Sequence, residues 1–487
     1  MEKIEHPLLS PAESLGIKLY LGTAFVVLLL MMFAGVAMRA SQANWIALPP
    51  DLFYQLMTVH GAGMVGIVGL AGAGIMWFFL RRYVSLSVQV LYANYVLFLL
   101  GVVLILGAIF IGGYAGAWTF LWPLPAKSMG LWSPHAAAAY VGGLILIGVG
   151  FLAFYFDAAV AIIRKYGSLL KGLGVDQLIS GKVDLKHPPT VVASSMVIIV
   201  NTIGTLVGAV VLIVTLANLY FPALTINALL AKNMIYFFGH VFINVSIYMA
   251  VIAVYELLPL YANRPWKVSR VFYASWLAVT LMVMGVYPHH LLLDAMPKSL
   301  AVLGQVISYL SGIPVLLVTV YGALVLVYKS DINWQPPVRW LMLSMFGWAV
   351  GVIPAIVDGT IQINMVLHNT LWVPGHFHFY LLIGVLPMAI GFSLHVFDAR
   401  RALNETLQRW VFNLYALGAV IFCMAFLVGG ANSVPRRFAQ HWDAWVPYDH
   451  AGALAASLVL LTMLLVTVTV VRRLLSSSRP AVHASEA

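Results

Sequence analysis

The sequence predicts an all-α polytopic membrane protein with twelve transmembrane helices. Three observations carry that prediction. Of 487 residues, 62% are hydrophobic and only 9% are charged, more apolar material than a water-wetted surface accommodates. Apolar segments long enough to cross a bilayer recur from end to end. The Lys and Arg residues also sort by side once those segments are laid in alternation.

The segments fall at roughly 17–38, 52–80, 90–113, 134–163, 190–220, 231–262, 270–293, 300–328, 338–358, 366–395, 407–430 and 448–473. The first is too long for a signal-peptide core and lacks a small-residue cleavage site, so it reads as a span. The second, sixth, seventh and tenth carry histidines, and the sixth adds Asn244, Tyr248 and Tyr255. Several segments exceed the ~20 residues a span needs, so tilt or overhang is expected. Between the fourth and fifth lies the one sizeable inner loop, 164–189, with Gly, Lys and Asp. Residues 1–473 thus form one membrane domain, and 474–487 read as a disordered cytoplasmic tail.

With the N-terminus inside, inner loops hold 20 Lys and Arg and outer loops hold 6: Arg39, Lys127, Lys232, Lys298, Arg436 and Arg437. Both termini are therefore expected on the cytoplasmic side of a bacterial or archaeal inner membrane. The net charge of +10 is topological, and a nucleic-acid partner is excluded. The single Cys423 excludes an intrachain disulfide or a thiolate cluster.

The histidines share one depth. His60 lies about eight residues into the descending second helix and His240 about nine into the descending sixth. His289 and His290 lie near the outer end of the ascending seventh. His376 and His378 lie about ten residues into the descending tenth, with His368 at its mouth. At ~1.5 Å per residue, the six inner ones fall within roughly 6–18 Å of the outer surface. One intramembrane histidine reads first as a hydrogen-bonded core residue. Six at matched depth on four helices read as metal ligands.

Spacing sorts them further. His376 and His378 are ~200° apart on a helix and face opposite flanks. His289 and His290, ~100° apart, can share one metal with His240. His60 then pairs across a cofactor with His376 or His378. That arithmetic suggests a bis-histidine haem, a mono-histidine haem and a three-histidine metal. Arg436 and Arg437, adjacent in the outer loop before the last helix, suit haem propionates.

These residues resemble subunit I of the haem-copper oxidoreductases. "VLHNTLWVPGHFHF" (366–379) is similar to the tenth-helix signature of the B-type branch, and "YPHHLLLD" (287–294), "MTVHGAGM" (57–64) and "VPRRFAQ" (434–440) resemble its other markers. The resemblance covers essentially the whole chain. It implies His60 and His378 as axial ligands of a low-spin haem b, and His376 as the ligand of a high-spin haem, type b by default. It implies His240, His289 and His290 around a copper-type centre, with His368, Arg436 and Arg437 near propionates. An electron-donating subunit II with a cupredoxin or c-haem domain, fed by cytochrome c or quinol, is implied as partner.

The departures from that pattern decide the expected substrate. Oxygen-reducing A- and B-type members carry a tyrosine four residues after the first metal histidine, where this chain has Asn244. The C-type tyrosine, six residues before the histidine pair, is Val283 here, and Tyr287 lies on another helix face. On the eighth helix, Val315 and Val318 fall where B-type oxidases carry proton-channel hydroxyls, which points to weak or no pumping. Tyr248 and Tyr255 lie near the face of His240 and offer a proton path, Tyr255 being equally readable as an aromatic-belt residue. Family members without the tyrosine are mostly nitric oxide reductases, so the resemblance implies NO as substrate, with O2 the alternative. No glutamate sits beside His240, which favours copper over iron. A transporter or haem carrier would not need the full ligand set.

Overall fold

The computed structural model describes residues 9–397 and 403–476. The twelve expected spans are twelve long helices: α1 (Pro11–Gln42), α2 (Pro50–Leu80), α3 (Val88–Ile111), α4 (Pro134–Tyr166), α5 (Pro189–Tyr220), α6 (Ala228–Ala262), α7 (Arg270–Leu291), α8 (Lys298–Val327), α9 (Pro336–Asp358), α10 (Trp372–Val396), α11 (Glu405–Ala431) and α12 (Val446–Ser476). Among the described residues there is no strand beyond one isolated bridge, Thr370 to Pro435. The last helix runs three residues into the stretch expected as tail. Residues 477–487, with Lys3, Arg400, Arg401 and Arg479 of the charge count, lie outside the described residues.

Local chemistry sets the helix starts. Proline occupies the first turn of α1, α2, α4, α5 and α9, where its missing N–H is no loss. Ser10, Ser87, Ser133, Asn227, Ser269 and Asn404 each accept a first-turn backbone N–H. Such caps satisfy donors that would otherwise face hydrocarbon or headgroups unpaired.

Burial divides the helices into two classes. The most apolar stretches of α2, α6 and α10 are 72%, 83% and 78% buried, against 28–50% for the other nine. Lipid can cover the outer helices, whereas the three inner ones are enclosed by protein. Those three carry four of the six inner histidines.

Two boundaries differ from the sequence expectation, and both bear on the site. The end of α7 tightens into a 3-10 turn over Tyr287–Leu291, which swings the adjacent histidines inward together. The tenth span begins at Trp372 rather than 366. Ile361–Leu367 form a separate short helix, and the turn after it pairs with the outer loop: Leu371 N–H donates to the Val434 carbonyl and Arg436 N–H to the Asn369 carbonyl, both at 2.9 Å. His368 thus lies outside α10. Hydropathy does not register that break because the segment stays apolar through it. A π-turn over Phe379–Val385 follows His378 directly, the kind of widened turn often found at functional sites.

Candidate haem and metal site

One internal cavity of about 490 Å³ gathers His60, His240, His289, His290, His376 and His378. Asn244, Tyr248, Arg436 and Arg437 also line it; His368 and Tyr255 do not. The matched depths read from sequence thus converge in space. The lining between the histidines is mostly apolar, so polar groups there have few partners besides one another.

His60 pairs with His378, which resolves the choice the spacing left open. Their ring centres are 6.4 Å apart with 24° between planes. A metal held at roughly 2 Å by one nitrogen of each ring sets the centres about 6 Å apart, so the gap fits one iron between them. The outward nitrogens are already engaged. His60 Nδ1 donates to the Met31 carbonyl and His378 Nδ1 to the Pro374 carbonyl, each at 2.6 Å. A carbonyl only accepts, so both Nδ1 atoms carry the proton and both Nε2 lone pairs stay free for a metal.

On the other flank, the candidate ligand atoms of His240, His289 and His290 lie within 4.8 Å of one another. Side chains steer these rings. The Ser308 hydroxyl donates to the Gly304 carbonyl at 2.7 Å and accepts from His289 Nδ1 at 3.2 Å. Tyr236 stacks on His290 with ring centres 5.4 Å apart. Asn244 Nδ2 lies 3.0 Å from His240 Nδ1, and a carboxamide with a donor and an acceptor end can pair with either tautomer of that ring. Three imidazoles, with no carboxylate in the cluster, form a donor set suited to copper or zinc as well as iron. Val283 lines the cavity, whereas the Tyr287 hydroxyl donates outward to Asn233 at 3.2 Å.

His376 stands between the two groups. Its Nδ1 is fully enclosed and without a hydrogen-bond partner, and Asp358 Oδ2 lies 3.7 Å from it. Above, Arg436 and Arg437 both reach the cavity, and Arg437 donates to the Thr119 hydroxyl at 3.3 Å. Burial, and then the adjacent Arg437, pull the Arg436 guanidinium down to about 10. An anion between the two arginines would relieve that cost, as a propionate would. Burial, with Arg436 next, also pulls the His368 imidazole down to about 4, so at neutral pH it is uncharged at the outer mouth. The His60–His378 pair, His376 on the cavity wall and the two arginines fit two haems, and the cluster of His240, His289 and His290 fits one metal.

Several contributors were missed in the sequence. Trp118 and Thr119, from the loop between α3 and α4, line the cavity. A Cβ on Gly61 would meet Trp118 Cδ1 at 2.5 Å, so the glycine next to His60 is the readable trace of that indole. Arg39 forms a buried 2.5 Å ion pair with Asp449, which also accepts from His441 at 2.7 Å; this pair ties α1 to α12 beside His378. Neither partner signals the other across so many residues.

Tyr255 lies inside the helix bundle, and Tyr248 lines the cavity. Tyr255 is 4% exposed, packed by Trp266, Phe272 and Trp276, so the aromatic-belt reading does not hold. Its hydroxyl lies 2.6 Å from that of Thr319 on α8. A π-turn over Leu316–Tyr321 shifts the register there, so α8 does supply a hydroxyl despite Val315 and Val318. Glu256 faces away, toward Arg82, Tyr83 and Thr190.

Comparison with known proteins gives the site its context. Residues 16–458 match the family model described as Cytochrome C and Quinol oxidase polypeptide I. The chain is 23% identical over 462 residues to a heme-copper oxidase subunit I+III of Aeropyrum pernix, covering 90% of this chain and 54% of that protein. It therefore spans about half the length of that relative. It is 22% identical over 460 residues to cytochrome c oxidase subunit 1 of a Synechocystis species, covering 90% and 79%. To alternative cytochrome c oxidase subunit 1 of Bradyrhizobium diazoefficiens it is 23% identical over 422 residues, covering 80% and 68%. A cryo-EM structure of a heme-copper terminal oxidase dimer shares the fold at a TM-score of 0.78 and 18% identity, covering 96% of this chain and 85% of that one.

Proposed function

The chain belongs to the cytochrome c and quinol oxidase polypeptide I family, and from that premise we propose that it is the catalytic subunit of a membrane nitric oxide reductase. Members of this family are membrane oxidoreductases that bind haems and a copper or other non-haem metal. The reaction in this reading is 2 NO + 2 e⁻ + 2 H⁺ → N₂O + H₂O. The observation that carries it is the residue against His240. Where the oxygen-reducing pattern has an oxidisable tyrosine, Asn244 holds the ring from 3.0 Å, and a carboxamide cannot supply an electron.

In this reading His60 and His378 hold the low-spin haem, His376 holds the high-spin haem, and His240, His289 and His290 hold copper. Haem iron and copper, when bound, supply the two electrons. The chain's own groups do the rest. Asn244 and Ser308 orient the metal-binding rings, Arg436 and Arg437 bind the propionates, and the apolar lining around Val283 excludes water. The Tyr255–Thr319 pair, with Tyr248 on the cavity wall, carries protons from the inner side. Both termini lie in the cytoplasm, and a donor subunit docks outside.

A second reading, reduction of O2 to water, is favoured by the relatives' names, which are those of oxidases. Turnover of the purified, reduced protein separates the two. Stoichiometric N₂O from NO with slow O2 consumption is the expected result. Rapid O2 uptake to water with negligible N₂O establishes the oxidase instead.

A further inference from the structure

A buried carboxylate stands behind His376. Asp358, the last residue of α9, is 1% exposed, and its Oδ2 is 3.7 Å from the orphaned His376 Nδ1. That separation is longer than a hydrogen bond, but a small rotation of ring or carboxylate closes it. The carboxylate is itself held. Asn364, fully buried, donates through Nδ2 to Asp358 Oδ1 at 3.2 Å and to the Asp358 carbonyl at 2.7 Å. The same nitrogen lies 3.5 Å from the carbonyl of His289. One amide therefore braces the acid behind His376 and touches the backbone of a candidate ligand in the three-histidine cluster.

We propose that Asp358 is a positioning residue for His376. Its carboxylate accepts the Nδ1 proton, fixes the ring with Nε2 toward the cavity, and makes the imidazole a stronger donor to a bound iron. Asn364 sets the carboxylate and couples its position to His289. A buried ring nitrogen without a partner is costly, and Oδ2 is the carboxylate oxygen nearest to it, Oδ1 being taken by Asn364. This rests on the reading of His376 as a haem ligand and is independent of whether NO or O2 is the substrate.

The test uses the purified, haem-loaded protein and two readouts that need no turnover: the iron–histidine stretching frequency of the reduced high-spin haem, and its midpoint potential. In Asp358→Asn the frequency falls. The potential rises by about 59 mV or more, a tenfold change in the ratio of oxidised to reduced haem. The low-spin haem is unmoved, because His378 is held by a backbone carbonyl. Asp358→Glu recovers part of the shift. Asn364→Ala, which keeps the acid but removes its brace, gives a smaller shift of the same sign. Unchanged frequency and potential in Asp358→Asn with both haems bound overturns the proposal. If Asp358→Asn loses haem, Asn364→Ala decides: loss there too, with a normal frequency in what remains, makes the unit a loop brace only and overturns the proposal. A high-spin haem retained with an unaltered band in His376→Ala shows instead that the ligand assignment is at fault.

Discussion

The two flanks of the cavity fix their imidazoles by different means. On the His60–His378 side, main-chain carbonyls of Met31 and Pro374 take both Nδ1 protons. On the other side, side chains stand against the rings: Asn244 beside His240, Ser308 beside His289, and Asp358 at 3.7 Å from His376. A carbonyl is present whatever the residue, so substituting the Met31 side chain leaves the acceptor of His60 in place. Asn244, Ser308 and Asp358 on the second flank can each be changed by one codon.

The comparison breaks most sharply at the ligands themselves. His378→Ala abolishes the low-spin haem spectrum and electron delivery, whereas Met31→Leu, which keeps the carbonyl, preserves both. Optical spectra of the purified variants check the contrast, and loss of the spectrum in Met31→Leu would show that the side chain, not the main chain, positions His60. The next largest effect comes from sterics. A Cβ at Gly35 would stand 2.9 Å from His60 Cε1 and 3.2 Å from its Nδ1, displacing the ring from the Met31 carbonyl. Gly35→Val is therefore expected to lose most low-spin haem, and an unperturbed spectrum would mean α1 can shift to absorb the added bulk.

On the side-chain flank the effects are graded. Ser308→Ala removes the acceptor of His289 Nδ1 and is expected to weaken metal binding about 10–100-fold with both haems in place. Metal and haem per chain, measured across a chelator series, give the answer, and the same analysis reads copper against iron. Metal retention equal to the parent protein would transfer the orienting role to the 3-10 turn alone.

Much of this architecture is legible in the sequence. Twelve spans follow from apolar length, and the shared depth of the six histidines follows from counting residues inward at a fixed rise, because helices convert sequence offset directly into depth. What stayed hidden depends on contacts between helices. Ser308 and Asp358 are ordinary residues until another helix brings a cavity histidine beside them, and Trp118 until its loop folds over Gly61. The pairing of His60 with His378 rather than His376 is a question of which flank faces α2, and angular spacing alone gives opposite faces without naming them. The start of α10 was misplaced because backbone pairing with residues 434–436, not hydropathy, ends the preceding segment.

The smallest effect expected is the most informative about protons. Tyr255→Phe removes one hydroxyl from the 2.6 Å contact with Thr319 and leaves the ring packing against Trp266 and Trp276 intact. A hydrogen bond of this kind contributes about 0.5–1.5 kcal/mol to stability, so the fold and both haems persist. If the pair relays protons, steady-state turnover slows several-fold, the solvent isotope effect grows, and reduction of the haems by an added donor stays fast. Thr319→Val, arriving from the other helix, should give the same profile, and the double variant should add little to either, since a relay is interrupted once. Full additivity, or an unchanged isotope effect in both variants, places the proton route elsewhere and leaves Tyr255 as packing. That outcome would also make the comparison starker, because the inner half of α6 would then serve structure alone while its outer half, from His240 to Asn244, served chemistry.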